Sequence, residues 1–424
     1  MRKMRISVIL LAIHELSFLC VSVVILPCAT LSEFMTIDEQ HIRRALELAR
    51  AGIGLVSPNP AVGAVVVGAS GREVGAGTHT YNGVKHAEVL ALEQAGESAR
   101  GATLYLNLEP CSHQGRTGPC ADAVIAAGIG RVICSMEDPN PQVAGQGFAK
   151  LRASGVKVEV GLLQAEARKL NESFAKYIRY SKPLVTLKSA MTLDGKIADA
   201  RKAGTERDSD LGSATPATEG ARSGYHWITG EVARAHVQQL RHQNDAILAG
   251  VGTVMADDPL LTDRSGLPRR RKLLRVILDS YLRIPLESRV IQTAENDVLV
   301  LCSTAEEQPR QALEAKGIRV EPISATTDGR PNFAAIVERL GKLEITSLLI
   351  EGGALVNGAA LASGEVDKIF LYYAPKIFGE GAVPFLAGEK LHVRAQCVQR
   401  IQLHRFGEDF ALEGYLRDPY AGQA

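Results

Sequence analysis

The sequence predicts an α/β protein of two domains. Strand-like apolar runs alternate with segments of helical period along the chain, the pattern of sheets covered by helices on both faces. A Ser181-Lys182-Pro183 break separates a helical stretch from a fresh apolar run near residue 180. The length of 424 residues corresponds to two or three domains at about 150 residues each. The expected organisation is an N-terminal extension over 1–34, a first domain over 35–180 and a second over 181–424.

Each element has a local reason. Thr36 and Glu39 are spaced as a capping box for a helix over 38–52, in which Ile42, Leu46, Ala49 and Ile53 recur at helical spacing. Ser57-Pro58-Asn59-Pro60 ends it, and the β-branched run Ala61–Gly68 reads as a buried strand. A helix over His86–Ala95, an alternating strand over Thr103–Leu108, a short helix over Ala121–Ala127 and a strand over Arg131–Met136 follow. Residues 156–180 end in a helix carrying Phe174, Tyr177 and Ile178. Pro183 opens a strand over Leu184–Ser189, and further strands are expected at Asp245–Gly250, Leu273–Leu278, Asp297–Leu301, Ser347–Ile350 and Ile369–Tyr373. The polar stretch 199–224 reads as a mobile insertion.

Composition narrows the class. Lys+Arg is 48 and Asp+Glu 47, a net charge of +1, and aromatic residues make up 5%. A nucleic-acid binder is expected to carry a basic excess and stacking aromatics. Seven cysteines in this length are too sparse for a disulfide scaffold. Cys134, Cys302 and Cys397 are assigned to packing. Arg2, Lys3 and Arg5 precede an apolar run, Ile6 to Leu31, broken by His14, Glu15 and Pro27. A misassigned start is favoured there over a targeting segment or membrane anchor. The need for reduced thiolates points to a cytoplasmic protein.

The strongest chemical signal lies in 79–120. His86-Ala87-Glu88 opens a helix, Pro110-Cys111 follows a strand, and Cys120 opens the next short helix. One imidazole and two thiolates suit zinc, and three protein ligands leave a fourth position for water. Zinc lowers the pKa of such a water toward about 7, and Glu88 could relay its proton to a leaving amine. His113 as a fourth ligand would instead make the zinc structural. In the second half, Glu351-Gly352-Gly353 follows an apolar strand. Its glycines suit either backbone approach to a phosphate or dinucleotide, or a tight turn. No G-x-G-x-x-G follows a strand and opens a helix. Arg241 and Arg264 could grip a sugar phosphate by bidentate contacts.

These residues resemble a known family. His-Ala-Glu, a Pro-Cys at a strand end and a second Cys opening a helix form the pattern of zinc-dependent nucleobase and nucleotide deaminases. The eight-residue loop Ser112–Pro119, with Pro58–Gly63 and His79 upstream, is similar to the deaminase half of the bifunctional riboflavin-biosynthesis deaminase–reductases. Lys188–Ala198, Trp227–Gly230, Leu240-Arg241, Asp245–Leu248, Gly250–Thr262, Val276–Ser280 and Leu349–Gly353 resemble that family's reductase half. The resemblance covers about 36–420.

It implies a cytidine-deaminase-like three-layer α/β/α domain followed by a dihydrofolate-reductase-like α/β domain. His86, Cys111 and Cys120 would be the Zn2+ ligands and Glu88 the proton shuttle. Cofactor contacts, to NADPH, are implied at Ala190, Trp227, Thr253, Asp257, Ser280 and Gly353. Substrate contacts are implied at Asn59, His79, the 112–117 loop, Lys188, Arg241, Leu261, Arg264 and Glu351. The expected reaction deaminates a phosphoribosylaminopyrimidine and then reduces its ribosyl arm to ribityl. A small-molecule substrate, no nucleic acid, no membrane and a homo-oligomer are the expected partner relations. One departure is the excess of roughly twenty residues between Gly195 and Trp227, a cheap loop insertion that replaces the usual short Gly-containing turn and leaves Tyr225 and His226 where a small polar residue and its neighbour are usual. The alternatives are a nucleic-acid-editing zinc deaminase with an appended binding domain and a single-activity reductase with structural zinc. A non-catalytic relative would have lost a ligand or the Glu.

Overall fold

The structure, a computed structural model, describes residues 35–114, 118–199, 227–388 and 395–421. The N-terminal extension, most of the 199–224 insertion, Tyr225, His226 and part of the 112–117 loop lie outside them. Residues Asp38–Ala424 form one compact unit.

Its first half contains β1 (Gly63–Val67), β2 (Glu73–Thr78), β3 (Thr103–Leu106), β4 (Arg131–Cys134) and β5 (Lys157–Val160). They form a sheet in the order β2-β1-β3-β4-β5, antiparallel as far as β3 and parallel beyond it. The helices are α1 (Ile37–Ala51), α2 (Ala87–Ala95), α3 (Cys120–Ala126), α4 (Gln146–Ala153), α5 (Gln164–Leu170) and α6 (Glu172–Tyr180). Glycines show how the layers stack. A Cβ on Gly63 would lie 2.1 Å from Ala45 O in α1, whereas Cβ atoms on Gly75 and Gly77 would lie 2.0 and 2.1 Å from Ala91 O and Ala87 O in α2. Gly77 pairs with Ala64, the neighbour of Gly63. Side chains alternate across a sheet, so α1 and α2 cover opposite faces and the half is a three-layer sandwich.

The second half has β6 (Leu184–Thr192), β7 (Lys196–Ala198), β8 (Ala246–Gly250), β9 (Leu274–Leu278), β10 (Val298–Cys302), β11 (Arg319–Pro322), β12 (Ser347–Ile350), β13 (Lys368–Ala374), β14 (Val383–Pro384), β15 (Gln399–Phe406) and β16 (Asp409–Tyr415). The main sheet runs β11-β10-β9-β8-β12-β6-β13-β16-β15. It is parallel from β11 to β13 and ends in an antiparallel hairpin. β7 and β14 make a separate ladder. The helices are α7 (Glu231–Gln243), α8 (Val251–Asp257), α9 (Arg289–Gln292), α10 (Glu307–Glu314), α11 (Phe333–Lys342) and α12 (Ala354–Ser363). Leu348 and Ile350 pack with α11 and α12, while Leu349 between them packs with α7. Helices therefore cover both faces here too.

The named strands and helices form within a few residues of their expected bounds. Seven strands among the described residues were not foreseen: β5, β7, β11 and β14, each of four residues or fewer, β2, whose two glycines hide its pattern, and the hairpin β15–β16, whose outer strand is exposed. Cys134 and Cys302 are buried as expected, but Cys397 is exposed. It lies in a loop ahead of the exposed edge strand, so the packing role assigned to it is corrected.

Buried ion pairs join the two halves. Lys176 Nζ meets Asp367 Oδ1 at 2.9 Å, and Lys368 Nζ meets Glu172 at 2.6 Å and Glu413 at 2.8 Å. Tyr415 donates its hydroxyl to Glu172 at 2.5 Å. Burial pushes the Glu413 carboxyl up, but Lys368 and Lys169 outweigh it and hold it at about 2.

Candidate functional site

Secondary structure brings the deaminase-type residues together. His86 is the N-cap of α2, Cys120 is the first residue of α3, and Cys111 lies beyond the end of β3. The chain folds back between the cysteines: Cys120 donates its backbone N–H to Cys111 Sγ at 3.2 Å, and Ala121 donates to Cys111 O at 3.1 Å. His86 Nδ1 lies 3.0 Å from Cys120 Sγ and 3.6 Å from Cys111 Sγ. The three ligand atoms lie within 4.8 Å of one another. Zn–N and Zn–S bonds of about 2.0 and 2.3 Å in a tetrahedron require ligand atoms roughly 3.5–3.8 Å apart, so the donor set fits zinc. His86 and Cys111 are only half-buried, which leaves one side open. His113 is exposed and stands outside the group.

The electrostatics match such a site. A hydrogen bond from Cys120 and a second from His86 lower the Cys111 thiol to about 4, while Cys120 is pushed up. The hydrogen bond to Cys111 raises His86. Glu88, the second residue of α2, is 3% exposed, and burial pushes its carboxyl up to about 7. A carboxyl group in that state is suited to pass a proton either way.

Asn59 and His79 sit beside this group. Asn59 donates Nδ2–H to His79 Nε2 at 3.0 Å, so the imidazole proton sits on Nδ1, facing Lys85 O at 3.1 Å. The His79 and His86 rings meet edge-on at 5.2 Å. Asn107 and Asn171 pin the turn leading into β1 by bonding both backbone groups of Ala61 and the N–H of Gly63. Glu109, which sequence reasoning missed, is buried just before Pro110-Cys111. It accepts backbone N–H groups of Asp138, Gly145, Gly147 and Phe148 at 2.8–3.2 Å. A carboxylate ending an apolar strand, followed later by the Gly-rich 145–147 turn, was the available signal.

A second constellation forms on the main sheet. Lys188 Nζ contacts Glu351 Oε2 at 3.3 Å. Arg241 grips Glu351 bidentately at 2.8 and 3.0 Å and donates Nη1–H to Thr262 O at 3.0 Å. Burial works to raise the Glu351 carboxyl, but Lys188 and Arg241 hold it at about 2. The guanidinium fork of Arg241 is thereby committed to a carboxylate. Arg264 is exposed, with its pKa lowered by burial and by Arg241 and Arg289 nearby. Leu261 is buried with φ 54°.

Ala190, Thr253, Ser280 and Gly353 lie at or just beyond the carboxyl ends of the adjacent parallel strands β6, β8, β9 and β12. Open α/β sheets bind ligands at that edge. A Cβ on Gly353 would meet Thr253 Oγ1 at 3.4 Å, so these two positions are neighbours at that edge. Asp257 ends α8 and is exposed. Trp227 is 57% exposed, with Arg234 over its ring at 5.1 Å. Among the described residues, no helix is long and apolar enough to cross a membrane.

The three-layer half with its His-Cys-Cys group, joined to a large parallel sheet, defines a two-domain enzyme with a deaminase-type zinc centre. Residues 35–136 match the cytidine and deoxycytidylate deaminase zinc-binding region, and residues 183–412 match the RibD C-terminal domain. The riboflavin biosynthesis protein RibD of Aquifex aeolicus is 40% identical over 376 residues, covering 89% of this chain and 98% of the relative. A solved structure of Acinetobacter baumannii RibD superposes with a TM-score of 0.72 at 33% identity, covering 89% of this chain and 98% of that one. A Thermotoga maritima structure, named as a diaminohydroxyphosphoribosylaminopyrimidine deaminase/5-amino-6-(5-phosphoribosylamino)uracil reductase, superposes with a TM-score of 0.70 at 34% identity over 89% of this chain and 98% of its own. The chain belongs to the RibD family of bifunctional riboflavin biosynthesis enzymes, with a zinc-binding deaminase domain and a reductase domain.

Proposed function

We propose that residues 35–180 deaminate a diaminopyrimidinone bearing a phosphoribosylamino arm, and that residues 181–424 reduce the ribosyl C1′ with hydride from NADPH. The observation that carries the first step is the convergence of His86 Nδ1 and the Cys111 and Cys120 sulfurs beside buried Glu88. Zinc held by these three residues would supply the Lewis acidity that makes a water nucleophilic near neutral pH. Glu88 takes a proton from that water and returns it to the departing amino nitrogen, so that water and the C–NH2 group become C=O and ammonia. Asn59 and His79, locked to each other, orient the pyrimidine.

For the second step, the support is the buried Lys188–Glu351–Arg241 cluster next to the carboxyl edge of the sheet. Glu351 fixes the Lys188 ammonium, which offers donors to the ribosyl oxygens. Bound at that edge, NADPH would supply the hydride, and a proton from the medium would complete the reduction. Ala190, Thr253, Asp257, Ser280 and Gly353 would hold the cofactor, with Trp227 at its margin. Arg264 and the backbone around Leu261 would hold the phosphoribosyl arm.

The test follows ammonia release and NADPH oxidation together on the full chain. Ammonia first and oxidation second, both stopped by a zinc chelator, supports the reading. The already deaminated substrate should still be reduced in the presence of chelator. Reduction of that substrate without any ammonia from the starting one would leave a single-activity reductase with structural zinc.

A further inference from the structure

One short segment of the reductase half touches both sites. Residues 261–271 begin at Leu261 and Thr262, whose carbonyl receives Arg241, and end against the loops that carry Asn59 and His79. Along the way the segment is braced at each step. Asp263 Oδ2 accepts from His242 Nδ1 at 3.0 Å and from Arg269 Nη1 at 2.9 Å. Arg269 also donates to the carbonyls of Arg241, His242 and Asn244 at 3.1, 2.9 and 2.6 Å. Through these side chains the segment is tied to the end of α7, whose Arg241 grips Glu351.

Its far end is docked on the deaminase half. Arg270 donates its backbone N–H to Gly54 O at 2.8 Å, and its guanidinium lies over the Tyr81 ring, 3.9 Å from the centroid. Arg270 Nε is buried without a hydrogen-bond acceptor, so the ring face is the contact this cation has at that atom. The approach at Gly54 is tight. A Cβ there would lie 2.8 Å from His242 Cε1 and 3.1 Å from Pro268 O. Arg271 adds a contact to Ser57 Oγ at 3.1 Å.

The two loops it clamps are those of the pyrimidine site. Gly54 and Ser57 lead directly into Pro58-Asn59-Pro60. Tyr81 lies two residues after His79 and donates its N–H to Leu55 O at 3.1 Å, which ties the loops together. Asn59 and His79 are themselves hydrogen-bonded. We infer that Arg270, a reductase-half residue, is a positioning residue for deamination: it holds Tyr81, and through it His79 and Asn59, in the geometry that orients the pyrimidine. This rests on the deaminase reading above. A guanidinium on an aromatic face is directional as well as attractive, so lysine substitutes for it incompletely.

The experiment measures both activities of the full chain in Arg270→Ala, Arg270→Lys, Tyr81→Ala and the double variant Arg270→Ala/Tyr81→Ala. Deamination is read as ammonia from the starting substrate, and reduction as NADPH oxidation with the deaminated one. Arg270→Ala should lower deaminase kcat/KM about tenfold, the size of effect typical of a coupled positioning contact, while reduction stays within about twofold. Arg270→Lys should fall between it and the parent. The double variant should lose little more than either single one, because the two residues act as one unit. Unchanged deamination in Arg270→Ala overturns the inference, as does a parallel loss of both activities with a lower Tm, which marks a merely structural contact. Additive losses in the double variant also overturn it. If the parent chain itself releases no ammonia, it is the deaminase reading that fails.

Discussion

Lys188 and Glu351 each stand one residue beyond a paired couple, Leu187 and Ile350, on neighbouring parallel strands. Their side chains meet at 3.3 Å. Register alone brings a cation and an anion 163 positions apart to the same depth of the sheet, and Arg241 reaches in from α7 to complete the trio.

Replacing the anion therefore strands two cations. Glu351→Gln should abolish most reductase activity and lower stability by about 3 kcal/mol, the usual cost of breaking a buried charge cluster from one side. Thermal unfolding and NADPH oxidation check this. An equal Tm in the variant would show that the pairing does not stabilise the fold.

Acid should have a related effect. Glu351 and Glu413 are both held at about 2 in the fold, below the ordinary value of about 4.3 for an unfolded Glu. A depressed folded-state pKa contributes stability that is complete above the unfolded value and lost as pH falls toward the folded one. Stability should thus decline between about pH 5 and pH 2. Glu413→Gln should flatten part of that decline in urea titrations taken across this range.

The acid/base role assigned to Glu88 separates the two activities. Glu88→Gln should lower ammonia release by about 10²–10⁴-fold and leave reduction of the deaminated substrate intact. Deamination at the parent rate would mean that another group moves the proton.

Metal content provides a test independent of turnover. The purified chain should carry about one zinc, and Cys111→Ser and Cys120→Ser should each weaken its retention against a chelator. His113→Ala should retain zinc as the parent does. Loss of zinc in His113→Ala would restore the closed, structural kind of site.

The charge pairs between the halves can be probed at Lys368. Lys368→Met leaves Glu172 and Glu413 buried without their shared cation, and Tm should fall well below that of the exposed control Lys272→Ala. Similar melting of the two would show that Tyr415 on Glu172 and Lys169 on Glu413 suffice.

Much of the deaminase centre was legible because local rules put it there. A His at a helix start, a Cys after a strand and a Cys opening the next helix need only the order of elements to converge. Its surroundings were not legible. Glu109 acts on backbone N–H groups about 30 to 40 residues away, and nothing in a one-dimensional pattern reports where those groups turn. The Glu351 trio was visible as residue types but not as an ion cluster, since its geometry depends on strand register. For the same reason Arg241 read as a free anion grip, although its donors are taken up by Glu351. The outer strand β15 of the terminal hairpin is exposed and lacks the continuous apolar run that revealed the buried strands.

Gly75 and Gly77 let the α2 backbone rest directly on the sheet, and α2 carries both His86 and Glu88. The spacing of helix from sheet thus helps to set the spacing of the imidazole from the Cys111 sulfur. A methyl group at either glycine would lift the helix, and zinc tolerates only about 0.2 Å in each bond. The metal is consequently a gauge of packing at a point it never touches. Cobalt placed in its stead would report, through its colour, strain introduced on the far side of the helix.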